Sequence, residues 1–245
     1  AECAHLVETE RHGRQTRFRF VHELVRQTLS GTLSAPRRQR LHARVAQVME
    51  EVYASTIDAH ASALAHHLFQ AGSSADPGKA IHFLSEAARQ ASKAAAHEEA
   101  LDHLDKAVSL LDNERTARAA LLHARRAGEL RSLSRNRDAV LEYERALALF
   151  DVLGDHVQFV ETCAPLVIVH MRANQFQELR AVIDRAAQHA KDAPAFIRCH
   201  VLAMQANRAC SAGDIDTGLE LFKELHSIPE NELPIGCLGF AVAQE

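Results

Sequence analysis

The chain has 245 residues, 47% of them apolar, and a formal net charge of −4. That length can bury one large core or two small ones, the apolar share excludes a disordered chain, and no run approaches the roughly 18–20 uncharged residues of a membrane span. Charge is unevenly spread: residues 1–53 hold nine arginines against six acidic side chains, a bias too weak by itself to indicate nucleic-acid binding.

Cys3, Cys163, Cys199, Cys210 and Cys237 are scattered, odd in number and without CxxC spacing. This predicts reduced, mostly buried thiols in a cytoplasmic protein. No basic start leads into an apolar run and a small-residue cleavage site, so no export signal is visible. The sequence opens on Ala and stops partway through a pattern, and the expectation is a segment of a longer protein.

Taken in order, residues 1–35 differ from the rest. "AHLVETERHGRQTRFRFVHE" alternates polar and apolar side chains, predicting strands Leu6–Glu10 and Thr16–Val21 around a turn at Gly13. A helix is predicted from about His22 to Leu33. Hairpin then helix is the layout that ends a winged-helix domain. Pro36 starts another helix, "RRQRLHARVAQVMEEVY", followed by "HASALAHHLFQAG". The expected divisions are 1–36 for a winged-helix remnant, 37–78 for a helical linker and 79–245 for repeats.

The repeat shows in "EALDHLDKAVSLL" and "DAVLEYERALALF", residues 99–111 and 138–150. Apolar positions fall at identical offsets in both, one stripe of an α-helix. The pattern returns from Leu179 and from Gly218. Anchors Ala100, Ala139, Leu179 and Gly218 are separated by 39, 40 and 39 residues. A further helical segment precedes each copy: "AIHFLSEAARQASKA", "ARAALLHARRAGELRSL", "FVETCAPLVIVHMRAN" and "FIRCHVLAMQANRACSA". Short turns separate three of these pairs, at Ser134–Asn136, Asn174–Gln175 and Gly213–Asp214. Pro165 lies within the third first helix and is expected to kink it. "NELPIGCLGFAVAQE" reads as the first helix of a fifth pair.

Ala100/Leu104/Ala107 and Ala139/Tyr143/Ala146 resemble the small-large-small signature on the second helix of the tetratricopeptide repeat (TPR). Leu179 and Gly218 depart from it. The resemblance implies a mainly α fold, a right-handed α-solenoid of helix pairs, with helices longer than in the usual repeat of about 34 residues. Such pairs bury their apolar faces by stacking on neighbours.

Phe18, Phe20, His22, Leu24, Arg26, then Arg40, Leu41 and His42, then Leu64, Ala65 and His67, ahead of paired repeats, resemble a further arrangement. It is similar to the segment after the ATPase core in bacterial signal-transducing ATPases of the STAND class. These include large LuxR-type activators, maltose-regulator relatives and ATPase-linked nucleotide cyclases. "FVHELVRQTL" also resembles the Met-His-Asp motif of plant resistance and animal apoptosome ATPases, whose histidine contacts an ADP phosphate. The resemblance assigns that contact to His22, with ATP or ADP held by a core outside this chain. The competing reading is a histidine satisfied by a backbone carbonyl.

Catalytic signatures are missing. GxxxxGK[ST], GxGxxG and GxSxG do not occur. "HELVR" would be a metalloprotease motif only with His in place of Arg26, and "HEEAL" fails likewise at Leu101. His60, His66 and His67 are read on one helix, with His60 and His67 seven residues apart on one face, but no Cys or carboxylate is suitably spaced to complete a site, and Cys199, His200 and Cys210 make no better one. The expectation is no catalysis, no metal and no cofactor within this chain. Arg37, Arg38, Arg40 and Arg44 lack the amide and aromatic companions suited to base edges, so DNA binding is not expected.

In TPR solenoids the first helices line the concave face. That mapping places His82, Arg89, Lys93, Arg131, Arg172, His200 and Asn207 in a groove suited to a carboxylate or another anion. Alternatively, these arginines pair with carboxylates of neighbouring helices. The reading is a non-catalytic sensor and protein-interaction region, relaying a protein or small inducer to an upstream nucleotide switch. The rival reading is a stand-alone scaffold for a partner protein or for self-association.

Overall fold

The computed structural model describes residues 7–12, 15–112, 115–191 and 193–228. The backbone divides into two compact units, Ala1–Glu86 and Ala87–Glu245, with the boundary inside a helix.

The first unit contains an antiparallel hairpin of β1 (Val7–His12) and β2 (Gln15–Phe20), in register from Val7 opposite Phe20 to His12 opposite Gln15. The ladder reaches two residues further along β1 than alternation predicts, because polar Arg11 and His12 can still pair their backbones beside the turn. The turn at Gly13, and Leu6, lie outside the described residues. Helix α1 (Glu23–Gly31) follows, and the Val25 N–H donates to the His22 carbonyl at 3.1 Å. Helix α2 (Ala35–Val52) carries Pro36 in its first turn, where a missing N–H costs nothing. It packs against α3 (Ala61–Ala71), and Ala46, Leu64, Ala65 and Leu68 are buried. A short 3-10 turn, Ile57–His60, links the two, with His60 stacked on Tyr53 at 3.8 Å between centroids.

Helix α4 (Pro77–Lys93) crosses into the second unit, where α5 (His97–Ser109), α6 (Ala117–Ser132) and α7 (Asn136–Leu153) follow. Then come α8 (His156–Arg172), α9 (Phe176–His189), α10 (Ala195–Ser211) and α11 (Ile215–His226). From α5 onward each helix packs on the next. The first helices α6, α8 and α10 also meet one another, more closely than successive second helices do. A stack whose first helices crowd and whose second helices spread curves with the first helices inside. Helix α8 runs through Pro165 without ending. The segment read as a fifth pair lies outside the described residues.

One turn is built four times. Ala95, Ser134, Asn174 and Gly213 adopt left-handed φ of 58°, 60°, 55° and 83°, each five residues before an anchor. The following N–H donates back to the carbonyl five residues earlier: Ala96 to Ala91, Arg135 to Leu130, Gln175 to His170 and Asp214 to Ala209, at 2.8–2.9 Å. This is the Schellman closure of a helix, and only the fourth copy uses the glycine that suits it. Gly154, at φ 68°, closes α7 the same way through Asp155 and Phe150.

The anchors explain the period. Ala100 and Ala139 are fully buried, as are Ala107 and Ala146 two turns later. Leu179 fits the third slot, buried at 6% exposure. The fourth needs glycine: a Cβ at Gly218 would collide with Cys210 Sγ, whose own backbone nitrogen lies 3.4 Å from that point. The core runs through Leu147, Phe150, Phe159, Cys163, Leu166 and Ile197.

Candidate functional site

Within the second unit, charged groups between helices are paired. The Glu142 carboxylate on α7 is buried and accepts from His123 Nδ1 at 2.7 Å, Arg126 Nη1 at 2.9 Å and Arg145 Nη1 at 2.6 Å. Burial alone would raise its pKa, but the hydrogen bond from His123 and the Arg126 charge hold it below the usual carboxylate range. Arg126 also reaches Asp105 on α5 at 2.5 Å, tying three successive helices together. His97 Nδ1 meets the largely buried Glu129 at 2.8 Å, and Arg185 on α9 meets Glu144 on α7 at 2.9 Å.

Cations at the ends of the first helices behave differently. Each first helix carries one in its last turn: Lys93 on α4, Arg131 on α6, Arg172 on α8 and Arg208 on α10. The row recurs once per repeat. Lys93 and Arg172 are exposed, and neither has an ion-pair partner among the described residues. Arg208 leaves its buried Nε without a hydrogen bond, as does Arg131, which is half-buried and donates to the Tyr143 hydroxyl. Cations there also face the negative ends of their helices, worth about 0.3–1 kcal/mol each.

Other predicted site residues distribute as follows. Arg89 is exposed one turn before Lys93, on the same face of α4. His200 and Asn207 are half-buried and two turns apart on α10, sharing a face. His82 is exposed on the part of α4 that belongs to the first unit, with its ring 4.9 Å from that of Phe83. His22 is exposed between β2 and α1. Arg208 was not among the predicted residues, although a basic residue ahead of each first-to-second-helix turn is a signal the sequence carries.

Histidines gather in two places. His42 Nδ1 on α2 lies 2.9 Å from His67 Nδ1 on α3, with the His66 ring 5.8 Å from that of His42. His156 and His189 make the same contact at 2.9 Å, and His189 stacks on Phe159 at 3.6 Å. One ring of each pair must be neutral to accept. Burial, and then neighbouring cations, lower the pKa of His42 and of His67. No group of three or more metal-ligating side chains occurs among the described residues. Cys163 and Cys199 are buried and neither is in a disulfide, and burial pushes the Cys163 thiol up to about 12, so it stays protonated and unreactive. No described helix is long and apolar enough to cross a membrane.

No protein-family model and no characterised protein matches the sequence. Solved structures do. A kinesin light chain with nearly identical TPR-like repeats from Podospora anserina aligns with a TM-score of 0.59 at 16% identity, covering 80% of this chain and 96% of that one. BtubC (BKLC) from P. vanneervenii aligns at 0.58 and 14% identity, over 80% and 91%. The apo form of RapI aligns at 0.56 and 14% identity, over 83% of this chain and 56% of RapI. At such identities the likeness is one of fold. The chain is a mainly α, TPR-like helical-repeat protein.

Proposed function

We propose that this chain is a non-catalytic binding region whose repeats take up an extended acidic segment of a partner protein or an anionic inducer. The observation that carries the reading is the row of last-turn cations, one per first helix, of which Lys93 and Arg172 lack an ion-pair partner among the described residues. Cations between helices are neutralised by Glu142, Asp105 and Glu144, while Lys93 and Arg172 at the helix ends are exposed to a ligand. Carboxylates spaced along an extended chain could meet them in succession, with Arg89, His200 and Asn207 supplying further donors.

The test is anisotropy of a labelled polyglutamate peptide. Lys93→Glu and Arg172→Glu should each weaken binding about tenfold, and added salt should weaken it further. Binding unchanged by both reversals, or insensitive to salt, would count against the reading.

The front end extends the proposal. Its resemblance to signal-transducing ATPases supports placing the repeats downstream of a nucleotide switch, with His22 contacting an ADP phosphate supplied from outside this chain. An exposed imidazole between β2 and α1 is free to donate to such an oxygen. In a protein carrying both parts, His22→Ala should speed ADP release and raise basal activity. An unchanged off-rate would sink the assignment.

A further inference from the structure

An apolar stripe along α2 is left open. Leu41, Val45, Val48 and Val52 are 48%, 41%, 39% and 63% exposed. Their spacing of four, three and four residues aligns them on one seam, the spacing by which two helices wind together. The opposite face carries the buried Ala46. Val45, Val48 and Val52, with Met49 and Tyr53, border a shallow groove. A single exposed valine is ordinary on a protein surface, but four large apolar residues in register on one helix are not.

Charges beside the stripe specify the occupant. Arg44 and Glu51 are both exposed, seven residues apart, and so flank the seam on the same side. Within one chain they do not meet: Arg44 Nη1 donates to Gln47 Oε1 at 2.8 Å, and Gln47 Nε2 donates to Glu51 Oε1 at 3.2 Å.

We propose that the chain forms a two-fold dimer in which α2 pairs antiparallel with α2 of a second copy. Val45 then meets Val48 of the second copy, and Leu41 meets Val52. Arg44 faces Glu51 of the second copy, and the two-fold axis makes that contact twice. A parallel pairing would set Arg44 beside Met49 instead and lose both ion pairs, so the charge pattern selects the antiparallel one. Helix α2 has 18 residues, a length of about 27 Å. So short a seam gives a weak dimer, with a dissociation constant on the order of 10 μM.

Sedimentation equilibrium of the whole chain from about 1 to about 300 μM tests this. A monomer–dimer equilibrium is expected. Val45→Glu, and separately Arg44→Glu, should weaken it at least tenfold with far-UV circular dichroism unchanged. Mixing the Arg44→Glu chain with the Glu51→Arg chain should restore a mixed dimer, because each then meets its opposite charge. A monomer at every concentration overturns the proposal and leaves the stripe to a different protein. A dimer indifferent to Val45→Glu, or single-charge variants that fail to pair when mixed, overturns it equally.

Discussion

Helices α2 and α7 are both 18 residues long, yet α7 buries six side chains and α2 buries one, Ala46. Neither length nor helix propensity separates them. Helix α7 has α6 on one side and α8 on the other, so its apolar stripe is covered along its length. Helix α2 sets one face on α3 and keeps Leu41, Val45, Val48 and Val52 toward solvent. A repeat unit hands its open face to the next unit, whereas a helix ahead of the repeats needs a partner from elsewhere.

Core truncation should break the two regions apart most sharply. Leu147→Ala in α7 is expected to cost about 3–5 kcal/mol, while Val48→Ala in α2 should stay within about 0.5 kcal/mol for the monomer. Urea denaturation of dilute protein checks both. Equal effects would erase the contrast.

The buried carboxylate of α7 comes next. Glu142→Gln removes the charged acceptor of His123 and leaves Arg126 with Asp105 alone, and should cost about 2 kcal/mol. Because the folded pKa of Glu142 is depressed, its contribution is fully present above the ordinary carboxylate pKa and is lost as pH falls through the lower, folded value. His42 and His67 are also lowered, so the unfolded chain binds those protons more readily and stability already begins to fall as pH drops through about 6.5. Stability of wild type should therefore decline in two stages on acidification. The variant Glu142→Gln should keep the upper stage and flatten the lower one.

The fourth pair offers a smaller, reversible break. Gly218→Ala should cost about 1–3 kcal/mol by driving a methyl into Cys210, and adding Cys210→Ala should recover most of it. Smallest of all, Ala95→Gly removes the strain of a left-handed alanine against a greater loss of chain entropy, a net gain of about 0.5 kcal/mol. Thermal melts resolve both.

Much of this organisation is legible in the sequence because the apolar stripe of the second helices is repeated side chain by side chain. Ala100, Leu104 and Ala107, and Ala139, Tyr143 and Ala146, declare both the helix and the space its neighbour needs. The common turn is harder to read, since only Gly213 and Asn174 are residue types suited to a left-handed φ, while Ala95 and Ser134 adopt it under the pull of the same carbonyl closure. Gly218 departs from the alanine of the signature in sequence, yet it fills the same slot once Cys210 stands opposite. For the candidate site, the sequence identifies which cations lie on first helices but not which are neutralised. That depends on whether a carboxylate from another helix lies within about 3 Å, as Glu142 does for Arg126 and as none among the described residues does for Lys93. The open stripe of α2 follows the same logic: Leu41 to Val52 has the periodicity of a buried face, and only the packing shows that its cover is missing.

Hydrogen exchange followed segment by segment, at a concentration well below about 10 μM, tests the account most directly. The prediction is slow, correlated exchange across α6, α7 and α8, because those pairs support one another, with markedly faster exchange in α1 and α2. Slowest exchange in α2, or helix pairs of the second unit opening one by one with unrelated rates, would contradict it.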